Sequence, residues 1–85
     1  MIHRMGVERY AGTLAELAGD VGDLRYDALV CFLESLAAKL AADAGADEAR
    51  GRPRLADALR NGAEGVVVAS SAIREAWRIS GPRME

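Results

Sequence analysis

Apolar residues along this chain recur at alternating intervals of three and four, the spacing that places them on one face of a helix. The first such run is Val7, Tyr10, Leu14, Leu17 and Val21. It predicts a helix over about residues 6–19, ended by the glycines of "AGDVGD". The second run is wider: Tyr26, Leu29, Val30, Leu33, Leu36, Ala37, Leu40, Ala41 and Ala44. With Asp23 as an N-cap carboxylate and Gly45 as a stop, it predicts a helix over about 23–44. The third run is Leu55, Leu59, Gly62, Val66, Ala69, Ile73 and Ala76. Its spacing continues across Gly62 and Gly65, which predicts one helix over about 53–79; a break at "RNGAEG" is the other reading of those glycines. Gly81 and Pro82 supply the stop.

A short turn over 45–52 makes the second and third helices antiparallel neighbours. Matching their seams sets Leu40 beside Leu59 and Ala37 beside Gly62, and brings Trp77 over the start of the second helix, near Leu24 and Tyr26. The expected fold is therefore all-α: a single domain over 1–85, a small three-helix bundle built on a long antiparallel hairpin of the second and third helices.

Size and composition add a second expectation. A chain of 85 residues buries only about 60–65% of the surface its unfolded form exposes. One cysteine, Cys31, allows no internal disulfide, and one His with one Cys cannot build a typical structural zinc site. A partner subunit is the remaining source of stability. Two surfaces are candidates for it. Ala28, Cys31, Ser35, Ala38 and Ala42 form a second seam on the second helix, made only of small residues that either face water or allow another helix to approach closely. Val67, Val68, Ala72 and Ile79 are apolar positions of the third helix away from its main seam. These nine residues are the expected interface of a homodimer, in which two chains merge into a larger helical bundle. The charged residues of the third helix, Arg60, Glu64, Arg74, Glu75 and Arg78, read as its solvated face, with Arg60 and Glu64 as a local pair. Cys31 reads as a small buried residue.

The stretch "ARGRPRLAD" contains Arg50-Gly51-Arg52-Pro53, the core of the AT-hook that enters the minor groove of A·T-rich DNA. A working hook is an extended peptide with further basic flanks. Here Asp47, Glu48 and Asp57 cancel Arg50, Arg52 and Arg54, and the whole chain has a net charge of −2, so the phosphate attraction behind most DNA affinity is missing. Helix punctuation accounts for the same residues: Gly51 in a left-handed conformation, Pro53 at the first helical position and Arg52 held extended before it.

Catalytic chemistry is sparse. With His3 as the lone imidazole, no Ser-His-Asp or Cys-His set can be assembled within one chain. No Glu-x-x-His pair of a di-iron bundle occurs, and "GDVGD" lacks the Lys of a phosphate-binding loop. Asp43, Asp47 and Glu48 read as a solvated turn rather than a cation site. No cofactor or metal is expected, and no enzymatic activity. Basic residues that are almost all Arg, with abundant Ala and Gly, suggest a GC-rich bacterial genome. The N-terminal "MIHRMGVERY" has no apolar core of a signal peptide, and no apolar run approaches the roughly 18 residues of a membrane span, so a cytoplasmic protein with a reduced thiol is expected. The functional expectation is a small helical protein–protein interaction or regulatory module acting as a homodimer. The alternative is a nucleic-acid-associated protein that uses Arg50, Arg52 and Arg54.

Overall fold

A computed structural model describes residues 3–81, and all regular structure among them is helical: α1 (Leu14–Gly22), α2 (Tyr26–Ala49) and α3 (Pro53–Ser80). The expected Pro82 stop lies outside the described residues.

The first helix is later and shorter than the apolar spacing predicts. Val7 and Tyr10 precede it, because Thr13 and Glu16 form a capping box that fixes the start. The Glu16 N–H donates to the Thr13 hydroxyl at 3.1 Å, and the Thr13 N–H donates to the Glu16 carboxylate at 2.9 Å. The helix then passes through Gly19 and ends at Gly22, with Asp23 as its C-cap; the Asp23 N–H donates to the Gly19 carbonyl at 3.0 Å. Asp23 therefore does not cap the next helix. The Tyr10 hydroxyl donates to Asp20, which folds the preceding segment back along α1.

At the head of α2 the N-cap position is Arg25, whose side chain caps nothing. Asp27 serves instead: its carboxylate accepts from the Ala28 N–H at 2.9 Å and from two Arg25 nitrogens at 2.7 Å each. The helix does not stop at Gly45 but runs on to Ala49. One internal glycine costs only about 1 kcal/mol, and the helix-forming alanines around it outweigh that. The turn shrinks accordingly to residues 50–52. Its centre is Gly51 at φ 78, the left-handed conformation that glycine adopts without strain, and Pro53 opens α3. α3 is continuous across Gly62 and Gly65.

α2 and α3 pack along their lengths, and α1 touches them only lightly. The seam between them is built from small residues at intervals of seven: Val30, Ala37 and Ala44 on α2, and Ala56, Ala63 and Ser70 on α3. Ala44 and Ala56 are completely enclosed. This corrects the expected α3 seam by one residue. Leu55, Gly62 and Ala69 lie outside it, while Leu59, Val66 and Ile73 stay half-buried on its flank. Short side chains let two helix axes come close, and a leucine on that line would hold them apart. Ser70 fits because its hydroxyl donates back to the Val67 carbonyl at 2.9 Å, leaving no unpaired polar atom. Trp77 reaches the start of α2, where the Arg25 guanidinium stands 5.4 Å from the ring centroid.

The result is thin and long, 48 × 29 × 14 Å, with a radius of gyration of 15.1 Å; a compact chain of this length has about 12 Å. Among the described residues no large side chain is fully buried. α1 faces the hairpin across an open apolar hollow of about 490 Å3, lined by Leu14, Leu17 and Val21 on its side and Leu29, Leu33 and Ile73 on the other.

Neighbouring substitutions test the corrected seam. Ala63→Leu is expected to cost about 1–3 kcal/mol by overpacking. Gly62→Ala, with nothing within 4 Å of the added carbon, is expected to add about 0.5–1 kcal/mol through helix propensity. Urea unfolding of both variants reads the difference. A pH test follows from the capping box. Hydrogen bonds from Thr13 hold the Glu16 carboxyl below its ordinary range. A depressed pKa contributes stability above the unfolded value and loses it as pH falls through the folded one. Protection of the Thr13 amide, taken relative to its intrinsic exchange rate at each pH, is therefore expected to fall on acidification below the ordinary carboxylate range, and a Glu16→Gln variant should lose that response.

Candidate functional site

Three regions carry polar or accessible apolar groups close together. The first is the hairpin tip. Arg50 caps α2, Arg52 is the N-cap residue of α3, and Arg54 lies exposed in the first turn of α3. The tip is closed by backbone bonds: Gly51 N–H to the Glu48 carbonyl at 3.0 Å and Arg52 N–H to the Asp47 carbonyl at 2.9 Å. Asp47 is buried beneath it, and its carboxylate draws in Arg50 at 3.4 Å and Arg52 at 3.7 Å. The RGRP stretch is thus a folded helix-to-helix turn, with two of its three guanidinium groups leaning on one carboxylate. His3, Asp43 and Leu55 line a shallow hollow beside it.

The two flanks of the hairpin form the second and third regions, and they differ. One flank carries Leu29, Leu33 and Ile73 and looks toward α1. The opposite flank carries two ion pairs between the helices. Arg74 reaches Glu34 at 2.7 Å, and Arg60 reaches Glu48. Glu34 and Glu48 are two heptads apart on α2, as are Arg60 and Arg74 on α3. Midway between the pairs, at the same heptad positions, stand Ala41 and Val67. The stretch between the ion pairs is an open trough of about 760 Å3, with Ala37, Ala41 and Ala63 in its lining and Val67 and Val68 among its exposed residues. Ion pairs thus frame an apolar middle, and no described element lies over it.

All nine expected interface residues are exposed: Ala28, Cys31, Ser35, Ala38, Ala42, Val67, Val68, Ala72 and Ile79. Among the large apolar ones, Val68 and Ile79 stand out, at 70% and 69%. Of the nine, only Ala38, Val67 and Val68 meet in the trough. Cys31 is exposed rather than buried, because it lies on the side of α2 turned away from the seam. Arg60 does not pair with Glu64; it turns across the hairpin to Glu48 and also nears Asp57 at 3.8 Å. Sequence reading assigned Arg60 and Arg74 to the solvated face of the third helix and singled out no role for Glu34. The signal that finds them is the pairing of like heptad positions on two antiparallel helices, Glu34-Ala41-Glu48 against Arg60-Val67-Arg74.

Among the described residues no group of His, Cys, Asp and Glu is arranged to hold a metal ion, and no helix is long and apolar enough to cross a membrane. Comparison with protein families, with curated proteins and with solved structures found nothing that matches this chain.

The tip's conformation sets a stability test. Gly51→Ala forces a side chain into the left-handed region and is expected to cost about 1–2 kcal/mol. Gly51→Asn should cost less, since Asn tolerates that region best among residues with side chains. Thermal unfolding of the two variants ranks them.

Proposed function

We propose that this chain is a helical protein–protein interaction module that acts as a homodimer. The observation that carries the reading is surface. A compact 9.0 kDa monomer exposes about 4,850 Å2, whereas this chain exposes 6549 Å2. Part of the surplus of about 1,700 Å2 belongs to the open segment ahead of α1. On the helices, Phe32, Leu36, Leu55, Val67, Val68 and Ile79 face outward as well. A standard interface takes about 800 Å2 from each partner, and obligate ones take more. The surplus is about twice that standard figure, enough to supply one such interface even after the segment ahead of α1 is set aside.

The reading assigns no catalysis. It places the module in the cytoplasm of a bacterium, where Cys31 stays a free thiol. Binding of A·T-rich DNA through Arg50, Arg52 and Arg54 has less support. A hook needs an extended basic peptide, and the folded turn with its buried Asp47 offers neither the shape nor the charge. Sedimentation equilibrium at micromolar concentration is expected to give twice the 9.0 kDa chain mass. A monomer under those conditions would remove the homodimer.

A further inference from the structure

We propose that the second copy seats on the ion-pair-framed trough of α2 and α3, about a twofold axis that runs parallel to the helices. This rests on the self-association proposed above and names its surface and symmetry. Two flanks of the hairpin are available. One already has α1 beside it, with the apolar hollow between them. The other, with Ala38, Ala41, Val67 and Val68, has no described element over it.

Charge then selects the axis. When a flat face packs against its own copy, the twofold axis lies in the interface. An axis across the helices would lay α2 on the copy's α2. Centred on Ala41 and Val67, it would set Glu34 against the copy's Glu48 and Arg74 against the copy's Arg60, both like-charged. An axis along the helices instead lays α2 over the copy's α3. Glu34 then meets the copy's Arg74, Glu48 meets the copy's Arg60, and Ala41 meets the copy's Val67. Each intrachain pair, Glu34–Arg74 and Arg60–Glu48, becomes half of a quartet in which the signs alternate. The small trough residues close on one another between the two quartets. Every helix in the resulting four-helix core is antiparallel to its neighbours, the arrangement of an up-down bundle. Glu64, the remaining charged residue of the trough lining, stands one turn from Arg60.

A mixing experiment tests this. In a swapped chain carrying Glu34→Arg, Arg74→Glu, Glu48→Arg and Arg60→Glu, both intrachain pairs are kept with signs reversed. So are the quartets of its own homodimer. A mixed dimer, however, sets Glu against Glu and Arg against Arg at every contact, which opposes association. The native chain is labelled with 15N, mixed with an equal amount of the swapped chain, and unfolded and refolded together at low salt. Native mass spectrometry then counts the dimers. Both homodimers are expected, with the mixed species below about one tenth rather than the statistical half. A statistical mixture would show that the copy seats elsewhere; it would overturn this proposal and leave self-association intact. A swapped chain that stays monomeric while the native chain dimerises would overturn it too. If both chains are monomeric, self-association itself fails. Val67→Asp gives an independent reading should the swapped chain not fold. Val67 is half exposed in the single chain, so the substitution is tolerable there, but in the dimer it places a charge at the centre of the trough. Association is expected to weaken about 100-fold or more, and an unchanged dissociation constant would overturn the proposal.

Discussion

Close approach of α2 and α3 along a line of small side chains is the constraint from which the rest of this structure follows. Ala37, Ala44, Ala56 and Ala63 occupy the seam because the axes can only come together where little projects between them. Helices packed this way gain backbone-to-backbone dispersion along many turns. They bury little apolar surface per residue in return, since an alanine has only one methyl group to hide. The larger side chains, Leu33, Leu40, Leu59, Val66 and Ile73, are displaced to the flanks and stay half-exposed. A hairpin built on alanine is therefore well aligned but poorly covered.

Alignment comes from the flanking groups. The Glu34–Arg74 and Arg60–Glu48 pairs and the Arg25–Trp77 stack join positions that agree on one antiparallel offset. Alanines alone would not specify that offset, because sliding by one heptad replaces one small residue with another. The charged pairs are sensitive to such a slide: a shift of seven residues would place Glu34 or Arg74 against an apolar position. Buried Asp47 at the tip acts at the remaining free end, closing the turn over a carboxylate that the two arginines partly neutralise.

The apolar period was legible in the sequence, and with it the helical class and the hairpin. The rotation of α3 about its axis was not. Leu55 and Leu59 weigh more than Ala56 in any reading that ranks positions by apolarity, whereas the packing ranks them by how little they obstruct. The start of α1 was legible and overlooked: "TLAE" is a capping box, and its two hydrogen bonds outweigh the continuation of an apolar spacing back to Val7. Gly45 misled in the other direction, since one glycine among alanines interrupts a helix too weakly to end it. Of the candidate site, Ala38, Val67 and Val68 stood out as apolar residues away from the expected seam. Their frame of ion pairs did not, because Glu34 and Arg74 are forty residues apart and Arg60 had a plausible local partner in Glu64.

The value of the ion-pair frame depends on what lies over it. In the single chain both pairs are exposed, and such pairs contribute about 0–1 kcal/mol each. Val67, half exposed, buries only part of its side chain. A covering helix changes both terms at once. It removes apolar area at Val67 and Ala41 from water, and it lowers the local dielectric around charges whose partners are already in place, which strengthens their attraction. Preformed pairs also lower the cost of desolvation, because each charge enters the interface with one partner bound. The arrangement of charges outside and small apolar residues between gains most of its energy when covered. Under the proposed seating, an alanine-seamed hairpin too thin to enclose a core of its own would gain that cover from a second layer of the same kind.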